Sequence, residues 1–234
     1  MKKILLVLLF CCSSVVLHAQ QELQQRPKLV VGIMVDQMRW DYLVRFNDRY
    51  GEGGFKRMME EGYNCNRLLI NYIPTVTAVG HTAVYTGTVP AFNGIIANSM
   101  YFDGKWATPV RDWKQDGVGT KRTEGKASPH RLLCTTMTDE LRLATNFRSK
   151  VICVSIKDRA SVLPGGHCAN AAYWMDSESM DWISSTYYMK ELPKWLKDFN
   201  AKKLGEVYLD KTTKNKKDKQ HFWDLMYDAE TYEQ

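Results

Sequence analysis

The apolar run Leu29-Val-Val-Gly-Ile-Met-Val35, ended by the lone carboxylate of Asp36, constrains the fold of this chain more than any other segment. It is apolar without alternation, as a strand covered on both faces of a parallel sheet must be. Val151-Ile-Cys-Val-Ser-Ile156 repeats that character. Between the two runs the sequence predicts helices over Phe55 to Glu61 closed by Gly62, and over Thr77 to Thr86 closed by Gly87. A third is predicted from Pro129 to about Thr145, with Ser128 as its N-cap. Strands interleaved with helices predict an α/β fold built on a doubly wound, mostly parallel sheet. The glycine turns from Gly94 to Gly125 predict one excursion from that sheet. A second, over about 161–221, carries Trp174, Trp182, Tyr187, Tyr188 and Trp195. It is expected either to cover a site in part or to pack a satellite core.

Residues 1–19 have the layout of a secretory signal peptide: Lys2 and Lys3, an apolar stretch from Ile4 to Val16, then Leu17-His18-Ala19. Cleavage after Ala19 would leave residues 20–234 as an exported chain, periplasmic or secreted, with no later run of about 20 apolar residues to hold it in a membrane. The residues before Cys11 and Cys12 do not fit a lipid-attachment signal. Loss of Lys2 and Lys3, with no acid among residues 1–19, lowers the formal net charge from +6 by two. The remaining excess is concentrated in seven lysines between Lys202 and Lys219, and no nucleic-acid-binding motif accompanies it. Nucleic acid is therefore not expected as a partner. Cys65, Cys134, Cys153 and Cys168 remain after processing without a CxxC, so their pairing is open.

Functional groups of open α/β sheets collect beyond the carboxyl ends of strands, where Asp36 stands. Asp36 would either cap the segment that follows it or bind a cation. Thr77, within Ile73-Pro-Thr-Val-Thr-Ala-Val-Gly-His-Thr82, starts a predicted helix whose N–H groups suit phosphate. A threonine hydroxyl is a feeble nucleophile until a base or metal ionises it, and no base flanks Thr77, which leaves metal activation or simple capping. Lys157 and Arg159, two apart at a strand end, would face one way and hold an anion, or else pair with Asp158 or Asp176. Asn98 would form a turn or donate to an oxygen of a transferred group. His81 is expected to pack, and His130, His167 and His221 have no ligand spacing among themselves.

The segments Val30-Val-Gly-Ile-Met-Val-Asp36-Gln-Met-Arg-Trp-Asp-Tyr42, Asn71-Tyr-Ile-Pro-Thr-Val-Thr77-Ala-Val-Gly-His81, Asn93-Gly-Ile-Ile-Ala-Asn98 and Ser155-Ile-Lys157-Asp-Arg159 together resemble the PafA-type alkaline phosphatases. These form part of the alkaline phosphatase superfamily, on the branch related to nucleotide pyrophosphatases and phosphodiesterases. The resemblance implies a fold of alkaline phosphatase type and hydrolysis of small phosphate monoesters through a phosphothreonine. It also implies two zinc ions, with Thr77 as nucleophile, Asp36 and Thr77 as metal ligands, and Asn98, Lys157 and Arg159 holding the non-bridging oxygens. Diester-cleaving relatives lack the Lys-x-Arg pair, so a phosphodiesterase or nucleotide pyrophosphatase is the alternative, and a non-catalytic anion-binding module the third. The family completes its zinc sites with an Asp-x-x-x-His motif and an Asp-His pair, neither of which occurs here. The resemblance therefore implies the amino-terminal part of such an enzyme, inactive by itself.

Overall fold

The computed structural model describes residues 27–204 apart from Asp103; the expected signal peptide, His221 and most of the lysine-rich stretch lie outside the described residues. The chain divides into two compact units, Met1–Arg49 and Tyr50–Gln234.

In the first unit, the run Leu29–Val35 forms no strand, and Leu29, Val30 and Ile33 are 78, 70 and 72% exposed. An apolar sequence can satisfy a buried strand, but ladder partners must come from elsewhere in the fold, and none joins this run among the described residues. The unit's helix α1 (Asp41–Arg45) has Asp41 in its first turn and Arg45 in its last, signs that suit the helix dipole. Its N-cap is Trp40, so Asp36 does not cap it.

The second unit contains α2 (Phe55–Glu61), α3 (Thr77–Thr86) and α4 (Pro90–Asn93). Gly62 and Gly87 end α2 and α3 as predicted, Gly87 in the left-handed conformation at φ 66° with its N–H bonded to the Ala83 carbonyl. A short hairpin follows, β1 (Met100–Phe102) against β2 (Lys105–Ala107). Next come β3 (Gly117–Val118), α5 (Met137–Ala144), β4 (Ile152–Val154) and α6 (Asp158–Gly165). The order closes with β5 (Ala171–Met175), β6 (Trp182–Ser185) and α7 (Lys194–Asn200).

The α/β class holds, and the sheet is mixed, with strand order β3-β6-β5-β4. Its parallel pair is β4 with β5, joined by α6 as the crossover that parallel neighbours require, while β6 runs antiparallel to both β5 and β3. The stretch after Ser161 thus supplies two strands of the sheet, and its aromatic residues go inside. Trp174 is 1% exposed within a core shared with Ala78, Ile95, Val162, Leu163 and Ile183. Tyr173 packs with Val118, Ala171, Leu192 and Leu196 in a satellite cluster, against which Trp182 also lies.

The helix predicted from Pro129 is shorter than expected. Pro129 to Leu132 is a turn closed by the Leu132 N–H on the Pro129 carbonyl at 2.8 Å, and α5 starts only after Thr136. Thr136 and Asp139 form a reciprocal capping box, each side chain taking the other's backbone N–H at 3.1 Å. Ser128 caps nothing there; it is buried and donates to Asp112 Oδ2 at 2.6 Å. Thr-x-x-Asp is a stronger start signal than a lone serine before proline, because it satisfies two orphan donors at once.

Candidate active site

Thr77 is the first residue of α3, whose N-cap is the extended Val76, so its hydroxyl is not spent on capping. Lys157 is the N-cap of α6, and the two helices share the core through Ala78, Val162 and Leu163. That packing brings the Lys157 ammonium to the threonine, where Nζ donates to Thr77 Oγ1 at 3.3 Å. Arg159 lies in the first turn of α6, two residues on. The expectation that strand alternation would aim Lys157 and Arg159 together is corrected: β4 stops at Val154, and the pair is presented by a helix start instead.

Asn98 connects the parts. Its Oδ1 accepts the Ala78 N–H at 2.8 Å and Arg159 Nε–H at 3.2 Å. Both partners can only donate, so the carbonyl oxygen must face them and the amide NH2 is directed elsewhere. Asn98 is therefore more than a turn former: it ties the start of α3 to the guanidinium and keeps two donors for another group. It also occupies one of the N–H groups at the start of α3 that the sequence suggested for phosphate, which shifts the demand for positive charge onto the side chains.

The expected ion pair forms with Asp158, whose Oδ1 lies 3.3 Å from Arg159 Nη1. Asp176 is engaged elsewhere, accepting from Thr120 Oγ1 at 2.8 Å beside Arg122. His81 is 5% exposed with Nδ1 2.8 Å from the Thr77 carbonyl, the packing role expected of it. Thr77 is 7% exposed, so the charges around it act through little water. The second unit by itself thus assembles Thr77, Asn98, Lys157 and Arg159; Asp36 belongs to the first unit.

A tetrahedral zinc site needs four donors. Among the described residues no three His, Cys, Asp or Glu side chains gather as a metal site would require, and Asp36 and Thr77 alone are too few. The described residues do not fit the implied zinc pair.

Two polar clusters escaped the sequence reading. Asp112, Ser128 and His130 have the residue types of a hydrolytic triad, with His130 Nδ1 3.0 Å from Ser128 Oγ. Ser128 is fully buried and gives its proton to Asp112, so the cluster braces a loop and offers no nucleophile. In the other, His167 places Nδ1 3.4 Å from Asp139 Oδ2 and Nε2 3.1 Å from the Leu132 carbonyl. Burial alone would raise the Asp139 carboxyl, but hydrogen bonds from His167, Thr136 and Cys168 overcome it and hold the group well below the usual carboxylate range. The same hydrogen bond raises His167 against the opposing effect of burial. Only the Thr136-x-x-Asp139 spacing could have hinted at this cluster. Cys65, Cys134, Cys153 and Cys168 are free thiols, and burial pushes Cys153 up to about 11.

Residues 30–231 match the family described as Type I phosphodiesterase / nucleotide pyrophosphatase. Alkaline phosphatase PhoV of Synechococcus elongatus is 50% identical over 97% of this chain and 41% of its own length. A protein of Myroides odoratus named calcium-transporting ATPase is 47% identical over 99% of this chain and 40% of its own. The solved structure of wild-type alkaline phosphatase PafA matches with a TM-score of 0.74 at 54% identity, covering 76% of this chain and 35% of that one. A PafA variant, with one threonine replaced by serine and an asparagine, a lysine and an arginine by alanine, matches with the same TM-score. The chain spans about 40% of the length of the curated relatives it matches. Four motifs in one order, the α/β fold and a match through nearly the whole sequence agree: the chain belongs to the type I phosphodiesterase / nucleotide pyrophosphatase family and is a relative of alkaline phosphatase PafA.

Proposed function

We propose that this chain carries the nucleophile and the phosphoryl clamp of an exported phosphomonoesterase, periplasmic or secreted, that acts on small phosphate esters. One observation carries the reading: the Lys157 ammonium, the Arg159 guanidinium and the Asn98 amide converge on the start of α3, where Thr77 stands. A positive charge at hydrogen-bond distance favours the ionised form of the threonine oxygen and the dianion it attacks. Thr77 Oγ gives up its proton and bonds to phosphorus as the bond to the ester oxygen breaks, and that oxygen takes up a proton and leaves as the alcohol; water then displaces Thr77, its oxygen leaving in phosphate and one of its protons restoring the hydroxyl. Lys157, Arg159 and the Asn98 NH2 hold the non-bridging oxygens through both steps. That a solved relative was altered at a threonine, an asparagine, a lysine and an arginine supports attention to these residue types.

The resemblance adds two zinc ions with Asp36 and Thr77 among their ligands. With the donors described, this chain unaided is expected to turn over little substrate. A phosphodiesterase is the second reading, favoured by the family match; the two cations beside Thr77 argue against it, since a diester brings one negative charge fewer to the clamp. The calcium-transport name of the Myroides relative stays with that protein, and no helix among the described residues is long and apolar enough to cross a membrane.

The test is to expose the chain to an aryl phosphate or a bis-aryl phosphate with added zinc, quench in acid, and locate phosphate by mass spectrometry. Phosphothreonine at position 77 from the monoester, lost in Thr77→Ala, is expected. Labelling elsewhere, or faster labelling by the diester, defeats the proposal, and sustained zinc-dependent turnover by this chain refutes its expected inactivity.

A further inference from the structure

Asp158, the residue between the two candidate cations, is engaged through both carboxylate oxygens. Oδ1 accepts from the Arg159 backbone N–H at 2.7 Å and from Arg159 Nη1 at 3.3 Å, while Oδ2 accepts from Thr108 Oγ1 at 3.3 Å. Its side chain is 13% exposed. An acid in the first turn of a helix is ordinary, and the bond to the Arg159 N–H would satisfy that purpose. Neither the grip on Nη1 nor the anchor on Thr108, 50 residues away in sequence, is needed for it. Arg111, whose guanidinium lies 5.6 Å from the centre of the Trp113 ring, also feels the Asp158 charge.

The guanidinium of Arg159 is planar, so two fixed points set its direction. Asn98 holds Nε and Asp158 holds Nη1, which leaves Nη2 with no hydrogen bond among the described residues. We propose that Asp158 is a positioning residue that aims Arg159, turning Nη2 toward the non-bridging oxygens of a phosphoryl dianion. The ligand in this inference rests on the phosphoryl reading above; the aiming itself rests on the contacts. A carboxylate so close to an anion site repels the ligand, and its Thr108 anchor keeps the second oxygen turned aside. The arrangement gives up some attraction for a defined orientation, which matters more for transfer than for simple capture.

The test uses the full chain with Asp158→Ala, Asp158→Asn, Arg159→Ala and the double variant Asp158→Ala with Arg159→Ala. Two quantities are read: nitrogen-15 relaxation of the Arg159 Nε–H signal, assigned by its loss in Arg159→Ala, and calorimetric affinity for inorganic phosphate. Asp158→Ala is expected to mobilise the signal and weaken phosphate about tenfold. The double variant is expected to bind no more weakly than Arg159→Ala, because an arginine that is absent cannot be misaimed. Asp158→Asn, which keeps an acceptor oxygen, is expected to restore most of the order and affinity. An Arg159 signal as rigid in Asp158→Ala as in the parent overturns the proposal, and so does a loss of affinity that adds to that of Arg159→Ala. Should Asp158→Ala unfold, Asp158→Ser, too short to reach Nη1, carries the same expectations. A parent chain that ignores phosphate would sink the phosphoryl reading, and the Arg159 signal would still decide the positioning.

Discussion

At the scale of single residues, a charged contact outside the site joins His167 to Asp139. Both imidazole nitrogens face acceptor oxygens, so the protonated ring satisfies both and either neutral tautomer leaves one oxygen facing a lone pair. His167 is raised above 6.5 in the fold, so its stabilisation is complete below that value and disappears as pH rises through the folded value. Asp139 is depressed below 3.8, so its share is present above 3.8 and disappears as pH falls through the lowered value. The melting-temperature gap between the parent and His167→Gln is therefore expected to be widest near pH 5 and to shrink toward pH 8. A gap that grows with pH would show the ring to be neutral in the fold. Residue identity made some members of the cluster legible and hid others: Thr77 and the Lys157–Arg159 pair were candidates by residue type and are brought together with Asn98, whereas Asp158 read only as a partner for a surface ion pair. What distinguishes Asp158 is a hydrogen bond to Thr108, and no local pattern encodes a contact across 50 residues.

At the scale of elements, boundaries with a chemical signal were legible. Gly62 and Gly87 end their helices where the sequence says, because a left-handed or sterically open residue is a local requirement. The start of α5 was misread because Pro129 and Ser128 looked like a helix opening while the capping box at Thr136 and Asp139 decided the matter. That box also depends on a neighbour. Gly166 closes α6 at φ 66° and ψ −159°, a conformation suited to glycine, and a Cβ there would run into Thr136 Oγ1 and Asp139 Oδ2. Gly166→Ala is expected to cost roughly 3 kcal/mol in chemical denaturation, from backbone strain together with a broken cap. A loss below about 1 kcal/mol would mean that the two loops move apart easily and the box is not held by them.

At the scale of the whole molecule, the α/β class was legible from interleaved periodicities, but the sheet's membership was not. The run that most constrained the fold, Leu29–Val35, forms no strand, while β5 and β6 come from a stretch read as an excursion. Composition reports what a strand would tolerate, and pairing is decided by which segments are at hand. Rapid exchange of the amides over 29–35 is therefore expected by hydrogen–deuterium mass spectrometry, against slow exchange over 171–175. Protection over 29–35 equal to that of β5 would show that the run has found a partner.

The convergence of two helix starts has a bearing on how such a site can change. Thr77 opens α3 and Lys157 precedes α6, so an anion held there as proposed would draw part of its attraction from main-chain polarity that no side-chain exchange removes. A descendant stripped of both cations would still inherit a faint anion trap. Under the proposed function, ester preference could then drift back and forth across a few side chains while the scaffold beneath stayed the same.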